Sequence, residues 1–121
     1  MSQPRIFRSA EHFQPSPGEP IRSVVTESAD AVVVAWHVAP GQRVASHVHP
    51  HGQDTWTILA GTGAYVTDVA GATRRLGAGD VAVARKGDVH GVLNDGAEPL
   101  RFISVVCPAD AGYALVAAGS S

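Results

Sequence analysis

Residues 41–61, GQRVASHVHPHGQDTWTILAG, decide how this chain is read. His47 and His49 stand two apart in a short run that begins after Gly41 and is cut by Pro50 and Gly52. Successive side chains of an extended strand point to opposite faces, so residues two apart share a face. Both imidazoles therefore project from one side, as two neighbouring ligands of one metal must. Pro50 removes a backbone donor and Gly52 permits a sharp turn, which suits a strand ending at the mouth of a site. Asp54 opens the next run. A second stretch, residues 79–94, GDVAVARKGDVHGVLN, brings in His90 just after a turn at Arg85–Asp88.

Outward from these stretches the chain keeps one rhythm. Its 13 Gly and 8 Pro punctuate short apolar or alternating runs. These cover Ile21–Thr26, Ala31–Val38, Val44–His49, Asp54–Leu59, Gly63–Val69, Thr73–Leu76, Asp80–Ala84, His90–Leu93 and Leu100–Val106. Frequent turns between period-two runs predict an all-β sandwich or barrel. Before residue 108 no stretch shows a helical period. Residues 1–20 predict an extended arm, because QPSPGEP at 14–20 cannot be helical. The barrel is expected over 21–108, and residues 109–121 form a tail that takes a short helical turn or stays loose. GTG at 61–63 lies between two strands and reads as a hairpin turn rather than a phosphate loop.

Composition narrows the partners. With 121 residues, 45% hydrophobic and 17% charged, the chain is one globular domain. Net charge is −2 and the basic residues are scattered, which argues against nucleic acid. The longest apolar run, Ala31–Trp36, is too short to span a bilayer, so no membrane partner is expected. Cys107 is the single cysteine, which rules out an internal disulfide. The first residues lack the apolar stretch of a leader, and a cytoplasmic address is the expectation.

Taken together, the two stretches resemble the cupin superfamily. Its first motif is G-x5-H-x-H-x3,4-E-x6-G; here Gly41, His47, His49, Asp54 and Gly61 keep that spacing. Its second is G-x5-P-x-G-x2-H-x3-N, matched in spacing by Gly79, Arg85, Gly87, His90 and Asn94. Two identities depart: Asp54 stands for Glu and Arg85 for Pro. The resemblance implies a single-domain cupin β-barrel, a jelly roll of two antiparallel sheets with a metal inside one end. It implies His47, His49, Asp54 and His90 as ligands. Three imidazoles and a carboxylate suit a divalent first-row metal such as Fe, Mn, Ni, Cu or Zn. Cupins commonly exchange N-terminal segments, so a homodimer is also implied.

Gln53 is the rival fourth ligand, since it sits at the shorter permitted spacing. Asp54 is favoured because its distance to Gly61 fits the motif and because it shares a face with Trp56 and Ile58. That apolar face should line the barrel interior. His51 continues the alternation beyond His49 but is flanked by Pro50 and Gly52, so it reads as a loop histidine or, more sharply, a proton shuttle. Trp56, Tyr65, Phe102 and Ser104 are candidate pocket residues, each with core packing as its plainer role. The functional expectation is a metal-dependent enzyme on a small oxygen-bearing molecule, of isomerase, cyclase, lyase or dioxygenase type. Asp54, His51 or metal-bound hydroxide would act as base. The alternative is a non-catalytic module that binds or senses a small ligand or metal.

Overall fold

Strand β4, Gln53–Ala60, shows how the sequence builds the barrel. Asp54, Trp56 and Ile58 are buried while Gln53, Thr57 and Leu59 are exposed, so alternate side chains enter the interior as the period-two pattern requires. The same rule governs most of the other strands in this computed structural model, which describes residues 3–116. Those strands are β1 (Ser23–Glu27), β2 (Val32–Val38), β3 (Arg43–Val48), β5 (Thr62–Val66), β6 (Thr73–Gly77), β7 (Val81–Ala84), β8 (His90–Leu93), β9 (Leu100–Cys107) and β10 (Ala114–Leu115). All nine runs expected from the sequence are found, with ends displaced by a few residues. The tail differs from its expectation: Ala114 and Leu115 add a two-residue strand to the edge of β3.

Two five-stranded antiparallel sheets result, in the orders β1-β2-β9-β4-β7 and β10-β3-β8-β5-β6. The fold class is therefore the all-β jelly roll expected from the sequence. Between the sheets lies a core of Val38, Trp56, Ile58, Tyr65, Leu76, Val92, Leu100 and Phe102. Trp56 stacks on Phe102 at 4.1 Å between ring centroids and meets Tyr65 edge-on at 5.2 Å. Burying a side chain such as Phe102 contributes roughly 1.5–3 kcal/mol. This apolar plug fills one end of the barrel and leaves the other open around the histidines.

Asn94, the last residue of the second motif, is wholly buried and clasps three strand ends. Its Nδ2 donates to the carbonyls of Val38 and Glu98, both at 2.8 Å, and its Oδ1 accepts from Gly96 N–H at 2.9 Å. Leaving such buried backbone groups unpaired is costly, so the motif asparagine is a structural clasp.

Strand β2 is buried on both faces. Val32 and Val34 face inward, yet Ala35 and His37 on the outer face are also covered, His37 to 5% exposure. The N-terminal segment lies over this side of the molecule. Gln14 Nε2 donates to Ser23 Oγ at 2.9 Å, and Gln42 Nε2 donates to the carbonyl of Ser16 at 2.7 Å. The Arg101 guanidinium sits 5.4 Å from the Phe13 ring centroid, and its Nε donates to His37 Nδ1 at 3.2 Å. The segment is extended apart from a 3-10 turn at Ser9–Glu11 and packs on its own barrel.

His37 is the accepting member of this latch, and that fixes its protonation. Burial and the neighbouring Arg101 charge hold its pKa below the ordinary value. The unfolded chain takes up a proton near pH 6.5, and the folded latch resists it. The stability contributed by the neutral ring is therefore complete above about pH 6.5 and is lost as pH falls through the lower folded value. Thermal melts of the parent between pH 7 and 5 should show a falling midpoint, with a shallower fall in His37→Gln. Parallel slopes in parent and variant would refute the latch.

Candidate metal centre

Four buried side chains converge at the open end of the barrel. His47 lies near the end of β3, His49 just beyond it, Asp54 at the start of β4 and His90 at the head of β8. His47 and His90 are direct partners in the β3–β8 register, which brings two motifs distant in sequence onto adjacent strands. The turn before β8 is tied to the first motif as well: Gly87, at φ +80°, donates its N–H to the carbonyl of His49 at 3.1 Å. One potential ligand atom from each of His47, His49, Asp54 and His90 lies within 4.8 Å of every other.

The rings are oriented by backbone carbonyls. His47 Nδ1 lies 2.7 Å from Ala45 O, His49 Nδ1 2.7 Å from Gly112 O and His90 Nδ1 3.1 Å from Asp88 O. A carbonyl only accepts, so each Nδ1 carries the proton and each Nε2 is left to the interior. There, the Nε2 atoms of His49 and His90 stand 3.3 and 3.0 Å from Asp54 Oδ2. Ser104 Oγ donates to the other oxygen, Oδ1, at 2.6 Å. Lone pairs and a carboxylate facing one another at these distances require a cation among them, either protons on the rings or a metal ion. The donor set fits a metal for that reason.

The titration of the cluster follows from the same geometry. Burial works to raise the Asp54 pKa, but hydrogen bonding with His49, His90 and Ser104 outweighs it and holds the carboxyl far below the usual range. Burial, reinforced by the neighbouring His90, lowers His47 to about 4 and keeps it neutral. For His49 burial pulls downward, yet its contacts with Asp54 and the Gly112 carbonyl bring it above its ordinary value.

Other expected residues fall in different places. Gln53 points outward and is exposed, its Nε2 near Thr55 Oγ1 at 3.5 Å. The alternation of β4 puts Asp54 inside and so excludes Gln53 from the cluster. His51 is exposed on the turn, where its backbone N–H donates to Ala111 O, and it is not part of the cluster. Trp56 and Ser104 line, together with His47, His49 and Asp54, a cavity of about 460 Å³. Tyr65 and Phe102, also expected on its wall, lie behind Trp56 in the core. The cavity has walls that the sequence did not single out: Val32, Val34 and Trp36 from β2, Val44 from β3, Val106 from β9 and Tyr113 from the tail. The Tyr113 ring lies 4.9 Å from that of His47. Arg22 stands on the cavity wall and is solvent-exposed.

A double-sheeted jelly roll with a buried His/Asp cluster at one end defines the class of protein. A cupin-domain family profile matches residues 34–106, and the chain belongs to the cupin family. It is similar over 94% of its length, and over 98% of the other chain, to a Klebsiella pneumoniae protein with a double-stranded β-helix domain, at 55% identity and a TM-score of 0.91. A predicted oxalate decarboxylase from Thermotoga maritima shares the fold at 22% identity, with 86% and 99% of the two chains covered and a TM-score of 0.72. The polyketide cyclase RemF from Streptomyces resistomycificus does so at 18% identity, with 94% and 86% covered and a TM-score of 0.76. No match was found among curated proteins. Among the described residues, no helix is long and apolar enough to cross a membrane.

Proposed function

We propose that the chain is a metal-dependent enzyme acting on a small oxygen-bearing molecule. The observation that carries this reading is the convergence of three carbonyl-oriented imidazoles and one carboxylate, three of these four side chains lining a cavity of substrate size. His47, His49, Asp54 and His90 would hold the ion. A divalent transition metal there supplies a Lewis acid that polarises a substrate oxygen and acidifies a neighbouring O–H or C–H.

The chain's own groups have separable tasks. The carbonyls of Ala45, Asp88 and Gly112 fix the ring tautomers and aim each Nε2 inward. Asp54, held ionised by Ser104 and the rings, offers charge rather than basicity, because a strongly depressed carboxyl is a poor proton acceptor. It serves this reading as a ligand. Trp56 and the valines give the cavity an apolar wall beside the ligands. That the fold relatives include one protein described as a predicted oxalate decarboxylase and another described as a polyketide cyclase supports oxygen-rich substrates in general.

Purified metal-loaded protein is to be incubated with a β-diketone, an α-hydroxy acid, an enediol and a sugar uronate, in air and under nitrogen, and followed by proton NMR. One class should be consumed, and loss of consumption under nitrogen would mark the dioxygenase variant. Recovery of every compound unchanged, with binding retained, would establish the non-catalytic module instead.

A further inference from the structure

Two features of the cavity are not used by the cluster. Arg22 stands on the cavity wall, exposed, and forms no ion pair among the described residues. The other charged side chain on that wall, Asp54, is already held by Ser104, His49 and His90. The second feature is Trp56. It lines the cavity, is 1% exposed, and its indole Nε1 has no hydrogen-bond partner among the described residues. A buried N–H without an acceptor is rare in a folded protein, so the acceptor is to be sought in what the cavity holds. The Trp56 ring lies 5.7 Å from that of His90, which puts the indole beside the cluster. Much of the remaining wall is apolar: Val32, Val34, Trp36, Val44 and Val106.

We propose that the cavity selects a compact apolar anion bearing a second oxygen, with its anionic group paired to Arg22 and the second oxygen accepting from Trp56 Nε1–H. This deepens the reading of the site as one for oxygen-bearing small molecules and rests on it. A free cation at a partly apolar mouth favours a carboxylate over a neutral isostere. The valines and tryptophans favour a ring or branched chain over a bare small acid. The unpaired indole favours a hydroxyl or keto oxygen at the inner end.

Ligand-observed NMR titrations with four probes test this. Para-hydroxybenzoate should bind most tightly, benzoate several-fold more weakly, and benzyl alcohol and acetate at least tenfold more weakly than benzoate. Arg22→Gln should weaken both aromatic acids about tenfold, Arg22→Lys should restore part of the loss, and benzyl alcohol should be indifferent to either change. Trp56→Phe removes the donor and leaves a smaller ring, so within this variant para-hydroxybenzoate should bind no more tightly than benzoate. Unchanged benzoate binding in Arg22→Gln, or acetate binding as well as benzoate, overturns the proposal. An unaltered preference for para-hydroxybenzoate in Trp56→Phe overturns the indole contact. Titrating metal-loaded and metal-stripped samples separates the two readings. Arg22-dependent binding without any metal uptake sinks the metal reading alone, and metal uptake without Arg22-dependent binding sinks this one alone.

Discussion

Isolated from cells supplied with first-row metals, the parent chain should carry about one metal ion, and His47→Ala and His90→Ala almost none. The two residues are paired across β3 and β8 with ring centroids 4.0 Å apart, so removing either opens the same side of the cluster. Loss of groups around a metal commonly lowers affinity by about 10–100-fold even when they only support a ligand, and loss of a ligand itself should exceed that. Asp54→Asn keeps the shape but removes the charge, and should retain part of the metal. Gln53→Ala, on the outer face, should retain all of it. Elemental analysis on the folded variants, checked by circular dichroism, decides the matter. A parent without transition metal, or a Gln53→Ala chain that loses it while Asp54→Asn does not, would sink the ligand assignment.

Gly52→Ala should be strongly destabilising, although it adds a single methyl group to the first motif. Gly52 is buried between His49 and Asp54, and a Cβ there would strike the backbone carbonyl of Cys107 and stand 2.5 Å from Ala111 Cβ. Both obstacles belong to the segment that leaves β9, so neither can swing aside as a flexible side chain does. Overpacking of this kind costs about 3 kcal/mol, which lowers the melting temperature of a domain this size by about 10 °C. Metal content should fall with it, because relieving the clash must shift either ligand-bearing flank. Gly18→Ala, with nothing within 4 Å of the added carbon, is the control and should melt with the parent. A Gly52→Ala midpoint within a degree or two of the control would refute the close approach.

Much of this molecule is legible in its sequence because strands declare themselves locally. Period-two burial placed Asp54 and Trp56 inside and Gln53 outside before any coordinates, and the i, i+2 spacing of His47 and His49 needed no tertiary knowledge. What strand alternation gives is a face, however, and not a depth along the barrel. Tyr65 and Phe102 share the inward face with Trp56 and Ser104, yet Tyr65 and Phe102 belong to the plug, Ser104 to the cavity and Trp56 to both. Nor does alternation reveal contacts made over long separations. Nothing local in β2 marks His37 for cover, and its burial depends on an N-terminal segment tied to Arg101 through Phe13. Gly112 and Tyr113 carry no motif, but one orients His49 and the other covers His47. Pro50 and Gly52 did signal that His51 leaves the strand.

The direct pairing of residues 47 and 90 has a kinetic consequence. Hairpins between neighbours in sequence close early, whereas partners separated by a long intervening segment meet late. An ion held by both strands would therefore have little to grip until that slow closure is complete. During renaturation from denaturant, the optical signal of a bound cobalt probe should lag behind the tryptophan signal that follows general collapse, making the ion a clock for the last step of topology.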